Sequence, residues 1–170
     1  MSLRHVAVST CGLVPRIREL ADMRLGVTLS VSLHSPDARR RSEIMPVNRK
    51  YPLPELLEAC RYYFQTTGRR VTMEYAVIDG VNGTKADAKK LADCLRGMQC
   101  HVNLIPVNPI AERSFRAFRK NVEQFEQELR RLGVNATIRR TLGSDIQAAC
   151  GQLRRDASQQ SADACGGGSN

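Results

Sequence analysis

Residues 27–32 read Val-Thr-Leu-Ser-Val-Ser, and residues 71–78 read Val-Thr-Met-Glu-Tyr-Ala-Val-Ile. Each alternates with period two, the spacing of a strand with unlike faces. Val27, Leu29 and Val31 share one face, and Thr28, Ser30 and Ser32 share the other. In the second stretch Val71, Met73, Tyr75 and Val77 oppose Thr72 and Glu74. Parallel strands covered by helices on both sides read as continuous apolar runs, so a polar face needs a reason.

The surrounding order supplies one. HVAVS (5–9) precedes a helix opening near Pro15, and 27–32 leads to Ser35-Pro36, which reads as a helix cap with proline in the first turn. A helix from Pro54 to about Gln65 separates the two quoted strands. Thr84-Lys-Ala-Asp87 opens a helix running to Met98, HVNLIPV (101–107) is the next strand, and Phe118, Val122, Phe125, Leu129 and Leu132 mark a helix stopped by Gly133. NATIRR (135–140) is the last strand. Repeated strand–helix order gives parallel strands joined by crossovers, an α/β fold. The polar faces then point to a barrel lumen holding a polar ligand. An antiparallel sheet with one face in water is the competing reading, and the intervening helices argue against it.

Polar residues gather where strands end. Ser9 and Thr10 close the first strand, Ser32, Leu33 and His34 the second, and Asn108 follows the fourth. In α/β barrels ligands bind at the carboxyl ends of the strands, which makes this group a candidate small-ligand site.

At 170 residues, with 42% hydrophobic and 25% charged residues, the chain has the size and composition of one globular domain. No apolar run approaches the ~18 residues that cross a bilayer. The N-terminal stretch lacks a signal peptide's apolar segment, so a cytoplasmic location and no membrane partner are expected. The net charge is +9, and 21 Arg against 5 Lys supply the cations, a bias that suits phosphate oxygens and a nucleic-acid partner. Only eight aromatics and no Trp argue against a base-stacking platform. The six cysteines, at 11, 60, 94, 100, 150 and 165, form no C-x-x-C pair and no zinc-type spacing with histidine, so they read as free thiols and no metal ligand is assigned. Cys60 and Cys94 fall on apolar helix stripes and are expected in the core. Residues 154–170 carry no periodicity and are expected to form a disordered polar tail after a domain at 1–153.

Five blocks in series carry a resemblance: VSTCGLVPRI, VSLHSPDARRRSEIMPVNRKYP, VTMEYAVIDGVN, HVNLIPVNP and RRTLGSDIQAACGQLR. Over residues 5–155 they resemble the C-terminal part of the catalytic region of the RlmN family, radical-SAM methyltransferases of RNA. The resemblance implies a partial radical-SAM (β/α) barrel lacking its first strands. It implies methylation of C2 of an adenine in 23S ribosomal RNA and, in many members, of an adenine in tRNA. It also implies S-adenosylmethionine, a four-iron four-sulfur cluster and a reductant protein such as flavodoxin or ferredoxin. By position, Cys150 matches the cysteine that carries the methyl group, and Ser9, Ser32, Leu33, His34 and Asn108 match positions lining the S-adenosylmethionine site. Sulfur suits the task because adenine C2 has no acidic proton to remove, whereas a thiolate accepts a methyl and sulfur stabilises an adjacent carbon radical. The family's C-x-x-x-C-x-x-C cluster motif is not present in the 170 residues, so the chain taken alone is expected to be inactive. Gly83 and Gln147 stand where the family usually has acidic residues. A basic RNA-binding module without catalysis and a C8-specific antibiotic-resistance methyltransferase are the alternatives.

Overall fold

The computed structural model describes residues 5–78, 80–107 and 115–139. Five strands, β1 (Ala7–Thr10), β2 (Thr28–Ser32), β3 (Val71–Ile78), β4 (Cys100–Val107) and β5 (Ala136–Ile138), form one sheet in which every pairing is parallel. Their order in space follows their order in the chain. The connections carry α1 (Val14–Asp22), α2 (Ala38–Ile44) with α3 (Leu53–Thr67), α4 (Lys85–Cys94) and α5 (Phe115–Arg131).

Strand order decides the architecture. A doubly wound sheet reverses direction at a switch point, whereas here each crossover steps the same way. Crossovers of one hand then place all helices on one side of the sheet. Burial agrees: Leu29, Val31, Val71, Met73, Tyr75, Val77, Val102, Leu104 and Ala136 join Ile17, Leu56, Cys60, Leu91, Val122, Phe125 and Leu129 in one apolar cluster. Tyr75 and Phe125 stack within it at 5.5 Å between ring centroids. Each Val, Leu, Ile, Met or Phe in it contributes roughly 1.5–3 kcal/mol by leaving water. Five consecutive parallel strands with helices on one side are the arrangement of a partial (β/α) barrel.

Two local expectations shift. The cap of α2 is Asp37, whose Oδ1 accepts from the Arg40 N–H at 3.0 Å. Ser35 instead turns its hydroxyl inward, where it accepts from the Asp37 N–H at 3.2 Å and shapes the turn before the helix. Helix α4 stops at Cys94, short of Met98: Leu95 leaves helical backbone with ψ near +1°, and Gly97 then turns the chain at a φ of +74°. Thr84 and Asp87 do form the reciprocal capping box read from their spacing. Residues 154–170 lie outside the described residues, and no helix among the described residues is long and apolar enough to cross a membrane.

Candidate ligand site on the open sheet face

The face of the sheet away from the helices is polar, and register shows how its side chains line up. Ser9 pairs with Ser30, Ser30 with Thr72, and Thr72 with His101. One step nearer the carboxyl ends, Ser32 pairs with Glu74, Glu74 with Asn103, and Asn103 with Thr137. Paired residues in a parallel ladder point the same way, so these eight form two polar rows across the strands. The Asn103 amide donates to Glu74 Oε2 at 2.9 Å, and His101 Nε2 lies 2.8 Å from Thr137 Oγ1.

Ser9 and Ser32 therefore share this face on neighbouring strands, one row apart. Leu33 does not: its side chain is fully buried, its N–H donates to Glu74 O at 2.9 Å and its carbonyl accepts from Ser35 and Arg41. It anchors the end of β2. Asn108 and Cys150 lie outside the described residues.

His34 stands just past β2 with a φ of +56°, a conformation few residues with a side chain adopt. Its Nδ1 accepts from the Ala76 N–H at 3.0 Å. A backbone N–H can only donate, so Nδ1 is unprotonated and the neutral ring carries its hydrogen on Nε2. Burial, reinforced by the Arg41 cation, pulls the pKa of His34 down to about 4. At neutral pH the residue is therefore an uncharged ring just past the end of β2.

Three residues that spacing did not single out hold this end in place. Arg41 is fully buried. Its guanidinium donates to Leu33 O at 3.2 Å, Ser32 O at 3.1 Å, Cys11 O at 3.0 Å and Asn48 Oδ1 at 2.8 Å. Carbonyls past the ends of β1 and β2 thus converge on one cation, with no carboxylate partner among the described residues. Gly12 permits the approach, since a Cβ there would come within 3.2 Å of the guanidinium. Asn82, also buried, donates to His34 O at 2.9 Å and Ala76 O at 2.7 Å and accepts from the Ile78 N–H at 2.7 Å, tying the turns after β2 and β3 together. A lone Arg within Arg39-Arg40-Arg41 reads as a solvated charge, and nothing in the pattern marks the third as the buried one.

Thiols divide by environment. Burial pushes Cys60 up to about 12 and Cys100 up to about 11, and raises Cys94 as well. Shifts of that size hold Cys60 and Cys100 in the thiol form near neutral pH. Cys11 is exposed.

No family model matches the chain. A protein of Clostridium perfringens named probable dual-specificity RNA methyltransferase RlmN is 56% identical over 153 residues, which cover 89% of this chain and 44% of that protein. A protein of the same name from Caldanaerobacter subterraneus is 54% identical over 89% of this chain and 45% of its own length. The chain belongs to the RlmN family. It spans a little under half the length of these relatives. A crystal structure of a radical SAM methyltransferase from Sphaerobacter thermophilus superposes with a TM-score of 0.78 at 50% identity, covering 89% of this chain and 45% of that one. A domain of a pyruvate-formate lyase-activating enzyme from Bacteroides vulgatus matches with a TM-score of 0.58 at 22% identity over 79% of this chain and 80% of its own, a likeness of fold. The RlmN-family assignment and the radical SAM fold agree with the partial barrel.

Proposed function

We propose that this chain forms part of a cytoplasmic radical-SAM enzyme that methylates C2 of adenine in 23S ribosomal RNA and in tRNA. The observation that carries the reading is identity of 50–56% along about nine-tenths of the chain to proteins named RlmN. The net charge of +9, carried mainly by arginine, is in keeping with an RNA substrate.

S-adenosylmethionine fits the open face in kind: it is a cation rich in hydroxyl and amine donors, and the face offers hydroxyls, a carboxylate and a neutral imidazole. In this reading Ser9, Ser32, His34 and Asn108 contact the cofactor, and Leu33 fixes the strand end between two of them. His34 donates from Nε2 without carrying charge, which spares the cationic cofactor a repulsion. Cys150, as thiolate, would be the residue that accepts a methyl group, which S-adenosylmethionine would supply when bound, with S-adenosylhomocysteine as the leaving group.

The iron–sulfur cluster and its reductant protein, a flavodoxin or ferredoxin, belong to the same proposal, but the residues of this chain do not fit a cluster. No three of its cysteines have C-x-x-x-C-x-x-C spacing, and no group of three possible metal ligands exists among the described residues.

The test is a chimera in which residues 5–155 of this chain replace the matching stretch of the Clostridium perfringens protein. Nucleoside mass spectrometry of cellular RNA is expected to find 2-methyladenosine, lost in Cys150→Ala. An 8-methyl product would reassign the position, and undiminished methylation with alanine at 150 would remove Cys150 from the reaction.

A further inference from the structure

Glu74 is a carboxylate on the open face of a sheet, in a chain with nine more cations than anions, and none of those cations is paired with it among the described residues. Its ordering comes from a neutral group. Asn103, opposite it in the ladder, donates to Oε2 at 2.9 Å, and Oε1 accepts no hydrogen bond from the described residues. On the other flank Ser32 sits in register with Glu74, and its hydroxyl makes no hydrogen bond among the described residues. The same is true of Ser9, Ser30 and Thr72, one row away. Every buried side-chain nitrogen and oxygen among the described residues has a partner, so the core itself offers a ligand no free acceptor there.

A ligand that meets this arrangement must bring donors to a fixed acceptor. A phosphate or other anion would be repelled by the carboxylate. A base edge would need one donor and one acceptor in a plane. A pair of adjacent hydroxyls supplies two donors at the separation of the two carboxylate oxygens, with Ser32 beside them to donate or accept as needed. Asn103 holds the carboxylate at one angle, so the geometry exists before the ligand arrives.

We propose that Glu74, oriented by Asn103 and flanked by Ser32, is the acceptor for the ribose cis-diol of the adenosyl ligand. The proposal rests on the S-adenosylmethionine reading above and adds to it a residue outside the group read from the strand ends. Glu74 is then a binding residue, and Asn103 acts through it as a positioning residue.

The test uses the whole chain, titrated with S-adenosylhomocysteine, its 3′-deoxy analogue and S-adenosylmethionine, with binding followed by NMR of backbone amides. Glu74→Gln keeps the shape and still accepts from Asn103, so the fold is expected to survive, and its thermal melt verifies this. For the wild type, S-adenosylhomocysteine should shift the amides of Ser32, Thr72 and Asn103 and bind at least tenfold more tightly than the deoxy analogue. In Glu74→Gln that advantage should vanish, with both ligands binding equally weakly. Equal S-adenosylhomocysteine affinity for wild type and variant overturns the proposal while leaving the cofactor reading intact. A loss confined to S-adenosylmethionine also overturns it, because that would mark Glu74 as a partner of the sulfonium charge. A wild-type chain that binds no adenosyl ligand overturns the cofactor reading and this proposal together.

Discussion

His34 Nδ1 and the Ala76 N–H are joined at 3.0 Å, a side chain from the end of β2 completing the ladder where the backbone of β2 has turned away. That bond requires the neutral ring. The folded-state pKa is lowered to about 4 from the ordinary 6.5. Above pH 6.5 neither folded nor unfolded chain holds the proton and the bond is fully available. As pH falls from 6.5 towards 4 the unfolded chain protonates first, so stability declines through that window by on the order of 2–3 kcal/mol. Urea unfolding at pH 7.5 and pH 5 should show this drop in the wild type and a smaller one in His34→Asn, which tolerates the positive φ and cannot titrate. Equal drops in both would remove His34 as the cause.

Replacing Arg41 with Met should cost about 3 kcal/mol or more, since four acceptors lose their donor in one step and not all can be reached by water. Arg41→Lys should recover little, because an ammonium cannot serve the spread of carbonyls that a planar guanidinium spans. Asn48→Ala removes one of those four bonds together with the Asn48 Nδ2 bonds to Ala38 O and Ser42 Oγ, and should cost less than Arg41→Met. Chemical denaturation of the three variants gives the ranking, and a Lys variant as stable as wild type would contradict the geometry.

Thr84→Ala removes the acceptor for the first turn of α4 and should cost about 1 kcal/mol. Asp87→Ala should cost more, for Asp87 also accepts from Thr84 N at 3.1 Å and pairs with Arg40 at 2.9 Å while itself nearly buried. A double-mutant cycle between Arg40 and Asp87 measures the ion pair alone, which should be about 1 kcal/mol or less because Arg40 is partly in water.

Alkylation should separate the thiols. Among Cys11, Cys60, Cys94 and Cys100, iodoacetamide at pH 7.5 is expected to label Cys11 first and Cys60 last, the latter only on unfolding, because Cys60 is fully buried and its pKa is pushed up to about 12. Peptide mass spectrometry over a time course reads the order directly. Early labelling of Cys60 would mean the core opens far more readily than its packing implies.

The open polar face could be read before any coordinates because alternation survives on both sides of a strand: Ser30 and Ser32, Thr72 and Glu74 sit between apolar neighbours. Ser9 and Ser32 could be placed together for the same reason. What escaped was the buried polar scaffold. Arg41, Asn48 and Asn82 act through carbonyls and amides brought close only when strand ends meet, and their bonds span as many as 48 positions, as between Asn82 and His34. Glu74 and Asn103 were visible as polar positions, yet their pairing depends on the register of β3 against β4, which no local pattern encodes. The Ser35-Pro36 expectation failed for a related reason. Ser and Asp two residues apart can each cap, and burial of Ser35 decides for Asp37.

Because spatial order copies chain order across β1–β5, each of β2 to β5 finds its neighbour already synthesised when it leaves the ribosome. Assembly of these five can then proceed by accretion, each strand–helix unit adding to a finished edge, and none of them must wait for a later one to be threaded between earlier partners.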